Sequence, residues 1–275
     1  MAAAAASKSG LKTILLEKNR KLGVKILMSG GTRCNITHNC DVRGIVSAFG
    51  RNGNFLHSAL SAFSPQDVVN LMHDQGVATK IEDTGKIFPV SNKAIDVRDA
   101  LVRYATDSGA TIANQQAVKK VDLLNTPSDS GQSGGPRYAV HSETDSWRAN
   151  TLIVTTGGLS YPGCGTTGDG YHWAEQFGHS IVSTVPALVP ITSQCQWANE
   201  LKGITIPAAS LSVWAPAPSD QKPVAVNADG SKVKKKKAKH KPLAKRDGSF
   251  LFTHWGFSGP SVLVVSREVA RHPRK

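Results

Sequence analysis

Cysteine is scarce in this chain, long apolar runs are absent and acids are outnumbered by bases. Four cysteines in 275 residues are too few for a disulfide scaffold. Cys34, Cys40, Cys164 and Cys195 form no CxxC pair. Cys34, His38 and Cys40 have no fourth ligand at a zinc-finger spacing, which argues against a metal site. No stretch approaches the ~20 apolar residues that a membrane-spanning helix needs. The sequence also lacks a Walker loop, an HExxH motif and a Ser-His-Asp arrangement, and its histidines are scattered. The sparse cysteines and the lack of an apolar run lead us to expect an intracellular, soluble protein of the cytoplasm or an organelle interior, and the sequence alone names no catalytic side chain.

What is present is ordinary globular composition, 40% hydrophobic and 19% charged, which excludes wholesale disorder. The length suits one or two cores. Thirty-three Lys and Arg against twenty Asp and Glu leave a net charge of +13, which invites a nucleic-acid reading. Its distribution weakens that reading. Ser231–Arg246 holds nine Lys or Arg and no acid, so the other 259 residues carry only +4. The run contains no aromatic residue on which bases would stack. It reads as a solvated inserted loop whose like charges repel. Binding to nucleic acid or an acidic surface, or a nuclear localisation signal, stays open.

The N-terminal MAAAAASKSG is Ala- and Ser-rich but lacks the arginines of a transit peptide. Residues 2–9 are expected to be a helix stopped by Gly10, followed by a strand over 12–17. Residues 18–54, rich in Gly, Asn and Arg, look like one long structured loop. Helices are expected over Pro65–Gln75 and over Ala94–Ser108, the second capped by Ser91 or Asn92. Thr111–Ala113 and Ala117–Val121 read as short strands, Tyr138 and Val140 as part of a hairpin, and Leu152–Val154 as a buried strand. Thr126–Pro136 is a flexible loop tip. Thr166–Thr167–Gly168–Asp169 opens a helix that runs through Phe177 and is closed by Gly178. Beyond Val185, short β-like runs (Ala187–Ile191, Ile204–Ile206, Leu211–Trp214) are broken by Pro and Gly, and a last helix starts at Pro260.

Four segments have the chemistry of a ligand site. Glu17, at a strand end, is placed where a nucleotide-binding βαβ unit holds a ribose. The paired glycines of Ser29–Gly30–Gly31–Thr32–Arg33–Cys34–Asn35 permit close backbone approach, and Arg33 suits an anion. The same residues also suit a tight surface turn. Thr156, Gly157 and Gly158 follow a strand at the edge where α/β sheets bind ligands, or they simply turn the chain. The Gly-rich stretch from Gly157 to Gly170 is entropically costly to order. It contains Cys164, a thiol without an identifiable base.

Six segments occur in one order: LLEKN (15–19), KILMSGGTRCNITH (25–38), GKIFPVSNKAIDV (85–97), IVTTGGLSYPGCGTTGDGYHWAEQFGH (153–179), PALVPI (186–191) and FTHWGFSGPSVLVVSR (252–267). This series closely resembles the BaiN/YhiN-like flavoproteins, NAD(P)/FAD-dependent oxidoreductases. The resemblance covers the chain outside 124–150 and 215–249. It implies an α/β fold, a Rossmann-like FAD-binding domain over 1–184 with an inserted β-barrel over 185–275. It implies FAD as cofactor, NAD(P)H as reductant, an unsaturated small-molecule substrate, and neither membrane nor nucleic acid as partner. By that resemblance Glu17 would hold the adenosine ribose with Lys18 beside it. Lys25 and Ser29, Gly30, Gly31, Arg33, Cys34 and Asn35 would lie along the pyrophosphate and flavin. Val118 would meet the adenine end, and Thr156, Gly157 and Gly158 would line the cofactor.

Three departures stand out. The family's first strand and its GxGxxG turn are not found before Glu17. Thr32 stands where the family has a third Gly, and the chain stops inside the inserted region. These departures imply a chain cut at both ends that retains FAD poorly or not at all, or that has no independent activity.

Overall fold

Gly10, with φ +81°, ends the first helix and turns the chain into the first strand. The computed structural model describes residues 1–124, 135–215 and 241–272. They fall into two compact units, Met1–Ile181 and Val182–Lys275.

The first unit runs α1 (Ala2–Lys8), β1 (Ile14–Leu16), α2 (Val24–Met28), β2 (Thr37–His38), α3 (Val42–Phe49), α4 (His57–Ala62), α5 (Pro65–Asp74), β3 (Thr79–Ile81), β4 (Lys86–Pro89), α6 (Ala94–Asp107), β5 (Thr111–Ala113), β6 (Lys120–Leu123), β7 (Tyr138–His141), β8 (Ser146–Ala149) and α7 (Asp169–Gln176). β1 and β5 pair in parallel, Leu15 opposite Ile112. β2, β4 and β3 form one antiparallel sheet, and β6, β7 and β8 another. Two cores result. Leu71 and Met72 of α5 meet Val97 and Ala100 of α6, with Ile26 and Leu27 of α2 against them. Val121, Val140 and Trp173 form the second core, and Leu16, Val118 and Leu152 pack on it. α5 has a full capping box: the Ser64 hydroxyl accepts from the Asp67 amide, and the Asp67 carboxylate accepts from the Ser64 amide.

Several expectations change here. Residues 18–54 are not one loop but hold α2, β2 and α3, and a 3₁₀ turn begins at Gly50. The Asp41 carboxylate caps α3 by accepting from the Gly44 amide, and Val42, Ile45, Val46 and Phe49 recur at helical spacing. Neither Ser91 nor Asn92 caps α6; Lys93 is its N-cap without a side-chain bond, and Asn92 is left-handed. The strand expected at 117–121 is β6, three residues later. Leu152–Val154 forms no ladder, and Ile153 and Val154 are 56% and 43% exposed. An apolar run becomes a strand only beside a hydrogen-bonding neighbour, and the described residues give it none. Most of the Thr126–Pro136 tip lies outside the described residues.

The second unit runs β9 (Ile191–Thr192), α8 (Gln196–Glu200), β10 (Thr205–Val213), β11 (Ala244–Thr253), β12 (Gly256–Ser258) and α9 (Pro260–Arg271). Its antiparallel sheet has the order β10-β11-β12-β9. β10 joins two expected strands into one, with a register shift between Ile206 and Ala209. The expected barrel is not found: the described sheet is open, because β10 and β9 are edges with no pairing between them. Only Ile191 of the expected 187–191 strand is in a ladder, since Pro186 and Pro190 offer no N–H and Leu188 is left-handed. Within the basic run, 231–240 lies outside the described residues. Lys245 and Arg246 are not in a loop but in β11, opposite Ser212 and Leu211. α9 begins at Pro260 as expected and buries Val262 and Val265. Among the described residues no helix is long and apolar enough to cross a membrane.

Gly30 has φ +56°, and a Cβ there would lie 2.7 Å from the Asn35 amide nitrogen and 2.9 Å from the Phe88 ring. Gly30→Ala is expected to destabilise the chain by about 1–3 kcal/mol, the range for a residue forced into a rare backbone region. Urea denaturation measures it.

Candidate functional site

Parallel strands gather their following loops at one edge, and Glu17 stands at that edge of β1. Its amide donates to the Ala113 carbonyl at 2.9 Å, and its carbonyl accepts from the Gln116 amide at 2.9 Å. The Gln115 amide donates to the Asn19 carbonyl at 3.2 Å. The ladder thus continues beyond the strands and fixes 17–19. The Glu17 carboxylate accepts at Oε1 from both the Asn19 amide and Asn19 Nδ2, each at 2.8 Å. Oε2 takes neither of these bonds.

The Gly-rich stretch 157–170 folds against this edge. Gly157, Gly165 and Gly168 have positive φ, and a Cβ on Gly157 would lie 2.9 Å from the Thr166 methyl. Asn19 Nδ2 donates to the Cys164 carbonyl at 3.1 Å. Lys18 Nζ donates to Thr167 Oγ1 at 2.8 Å and pairs with Asp169 Oδ2 at 2.9 Å. Lys25 Nζ donates to the Ser160 carbonyl at 2.7 Å and to its hydroxyl at 3.1 Å. The Cys164 thiol is buried against Met28 Sδ at 3.0 Å, a contact that provides no general base. Thr156 and Gly157 are exposed beside these residues, and Gly158 sits under the Tyr171 hydroxyl.

The Ser29–Asn35 turn is built differently. Gly30, Gly31, Thr32 and Cys34 are all left-handed, and the Cys34 amide donates to the Ser29 carbonyl at 3.0 Å. Arg33 lies over the Phe88 ring at 4.1 Å and pairs with Glu82 at 2.6 Å. Cys34 is buried, which pushes its thiol above the usual range, with Ser29 pulling the other way; Asn35 is exposed. Val118 packs on the core of Val121, Val140 and Trp173. It lines a depression of about 320 Å³ with Lys119, Thr167, Gly168, Asp169, His172 and Trp173.

The structure therefore brings Lys18, Lys25 and Val118 beside one Gly-rich loop or its helix, and ties Glu17 to that loop through Asn19. It ties Arg33 and Cys34 instead to Glu82, Phe88 and Ser29. Asn19, Met28, Glu82 and Phe88 were not singled out from the sequence; only the position of Asn19 within LLEKN signals it. Nor does the spacing reveal the row Ser146, His141, Asp122. His141 Nδ1 is 2.8 Å from Ser146 Oγ, and Nε2 is 3.4 Å from Asp122. Lys120 holds that carboxylate more closely, at 2.8 Å, so the row is a cross-strand polar surface. Among the described residues no group of three or more His, Cys, Asp or Glu is placed to hold a metal ion.

The family model described as HI0933-like protein Rossmann domain matches residues 1–258. The chain belongs to the HI0933-like family. It is the family that the BaiN/YhiN-like motif series resembles. The chain is 29% identical to a ribosomal RNA dihydrouridine synthase of Haemophilus influenzae over 96% of its length. It is 30% identical to the protein of that name in Escherichia coli, again over 96%. It is 26% identical to a 3-dehydro-bile acid delta(4,6)-reductase of Clostridium scindens over 98%. The HI0933-like chain spans about half the length of these relatives: 57%, 56% and 57%.

The bond from Lys18 is the main reason that the Asp169 carboxyl lies below the usual carboxylate range; slight burial opposes the shift and Thr167 adds to it. A lowered folded value means stability present above the unfolded carboxyl's pKa and lost as pH falls through the folded one. Lys18→Met is expected to cost at most about 1 kcal/mol, since the pair is a third exposed and screened. Denaturation of both forms at neutral and strongly acid pH checks this: the difference vanishes in acid.

Proposed function

We propose that this chain is the FAD-binding part of a flavin-dependent oxidoreductase that reduces an unsaturated organic substrate with NAD(P)H. The observation that carries the reading is Glu17. Its carboxylate stands at the carboxyl edge of a parallel pair with Oε2 outside the Asn19 bonds. Such an oxygen suits the two hydroxyls of a ribose. The Val118 depression, lined on one side by the buried Trp173, suits the flat adenine.

The residues present fit the adenosine half of FAD. The pyrophosphate is a poorer match. Lys18, Lys25 and Arg33 are each engaged within the chain, at 2.9, 2.7 and 2.6 Å, and would have to exchange partners to meet an anion. FAD, when bound, supplies hydride transfer. The chain's own residues would orient it: Glu17 through the ribose, Thr156, Gly157 and Gly158 by offering a surface without bulky side chains. The names of the relatives support a reduction, one set carrying a dihydro product and the other a reductase.

Those same names also favour a second reading, in which the substrate is RNA. The nine Lys and Arg of 231–246 would then attract its phosphates. A salt-dependent gel shift on RNA, abolished by deleting 231–246, would support it, and the absence of a shift would remove it.

FAD and FMN share the flavin and differ in the adenosine half. Equilibrium titration is expected to give weak, saturable FAD binding that is tighter than FMN binding. Glu17→Gln should weaken FAD about tenfold, as for loss of a hydrogen bond to a charged group, and leave FMN unchanged. Equal binding of the two flavins to the unmodified chain overturns the reading.

A further inference from the structure

The β7–β8 turn does more than connect two strands. Ser142 and Asp145 close it, the Ser142 amide donating to the Asp145 carbonyl at 2.9 Å and the Asp145 amide to Ser142 Oγ at 3.0 Å. The closed turn then grips one side chain from outside the hairpin, Gln116. Gln116 Nε2 donates to Asp145 Oδ2 at 2.9 Å. Its Oε1 accepts from Ser142 Oγ at 2.6 Å and from Thr144 Oγ1 at 3.3 Å. The Asp145 carboxylate, which can only accept, fixes the orientation of the amide: reversed, it would set its oxygen against that carboxylate.

The same residue's backbone amide holds the Glu17 carbonyl at 2.9 Å. Two and three residues further on, Val118 and Lys119 line the depression that Thr167 and Asp169, the partners of Lys18, also line. Lys119 is tied to the same hairpin twice: its amide donates to the His141 carbonyl at 2.8 Å, and its Nζ pairs with Glu143 at 2.8 Å. The short connection from β5 to β6 is thus held at Glu17 on one side and at the β7–β8 turn on the other.

We infer that the Ser142–Asp145 turn, acting through Gln116, positions the adenosine end of a bound dinucleotide by fixing the distance between Glu17 and Val118. The inference rests on the FAD reading and adds a specificity device to it. Gln116 is a positioning residue: it touches the turn and the Glu17 carbonyl, while Glu17 and Val118 would touch the ligand. A dinucleotide feels both contacts and a mononucleotide neither, so the turn sets the preference for FAD over FMN.

Exchanging donor and acceptor tests this. Gln116→Glu removes the donor to Asp145 and sets two carboxylates against each other. Adding Asp145→Asn gives the pair an amide donor again. In the single variant FAD affinity should fall about tenfold with FMN unchanged, and the double variant should return to within about threefold. Hydrogen exchange in the ligand-free chain gives an independent readout: amides of 115–119 should exchange faster in the single variant and recover in the double, with Thr205–Val213 unaffected. Faster exchange without a change in flavin preference, or no recovery in the double variant, overturns the inference and leaves the FAD reading standing. Equal FAD and FMN binding by the unmodified chain overturns both.

Discussion

The first unit depends on a parallel ladder that does not stop where its strands stop. β1 and β5 share only three residue pairs, too few to hold an edge alone. The amides of Gln115 and Gln116 extend the pairing to Asn19 and Glu17. Everything placed at that edge inherits the geometry: the Glu17 carboxylate, Lys18 and its bridge to α7, and Asn19 and its bond to the Cys164 carbonyl. Gln115 takes a left-handed backbone, φ +58°, at this point. That conformation is uncommon for a residue with a side chain, and the bonds on either side over-determine it.

The cations of the site are all spent locally. Lys18, Lys25 and Arg33 have partners in other segments, 49 to 151 residues away in sequence. Each bond ties two segments together: Lys18 joins the edge to α7, Lys25 joins α2 to the Gly-rich loop, and Arg33 joins its turn to the connection between β3 and β4. Half-exposed ion pairs add little stability apiece. Their effect here is to choose one arrangement of glycine-rich segments that would otherwise sample many. The same reasoning separates the net charge from the site. Nine of the charges behind the +13 lie in 231–246, in the other unit.

Elements with local signals were legible in the sequence. The observed bounds of α5 and α6 lie within a residue or two of expectation, α7 starts at the last residue of its expected opening, and α9 starts at its N-terminal proline. Glu17 at a strand end was legible for the same reason. What failed needed a partner to be known. Leu152–Val154 has the composition of a buried strand, but composition does not supply the neighbouring ladder. Lys245 and Arg246 look like part of a solvated charge run, yet the pairing that begins at Leu251 opposite Thr205 carries them into β11. Asp41, Val42, Ile45 and Phe49 did carry a helical signal, which was hidden by the glycines and asparagines around them. In the site, Glu82 was invisible because a single Glu becomes informative only when its partner across the fold is known.

Thr32 shows how such a partner resolves an apparent conflict. It stands among glycines and shares their left-handed backbone, φ +68° after Gly30 at +56° and Gly31 at +66°. A residue with a branched side chain costs more there than glycine, on the order of 1–2 kcal/mol. Its carbonyl accepts from the Ala94 amide at 3.0 Å, the first residue of α6. A helix start leaves amides in need of acceptors, and α6 has no side-chain cap. The strained carbonyl of Thr32 therefore does for α6 what Ser91 or Asn92 was expected to do. The next residue, Arg33, is pinned to Glu82 and Phe88, so the turn is held on both sides of its strained position. The missing glycine and the missing cap are one feature, which couples the Gly-rich turn to the helix packed beneath it.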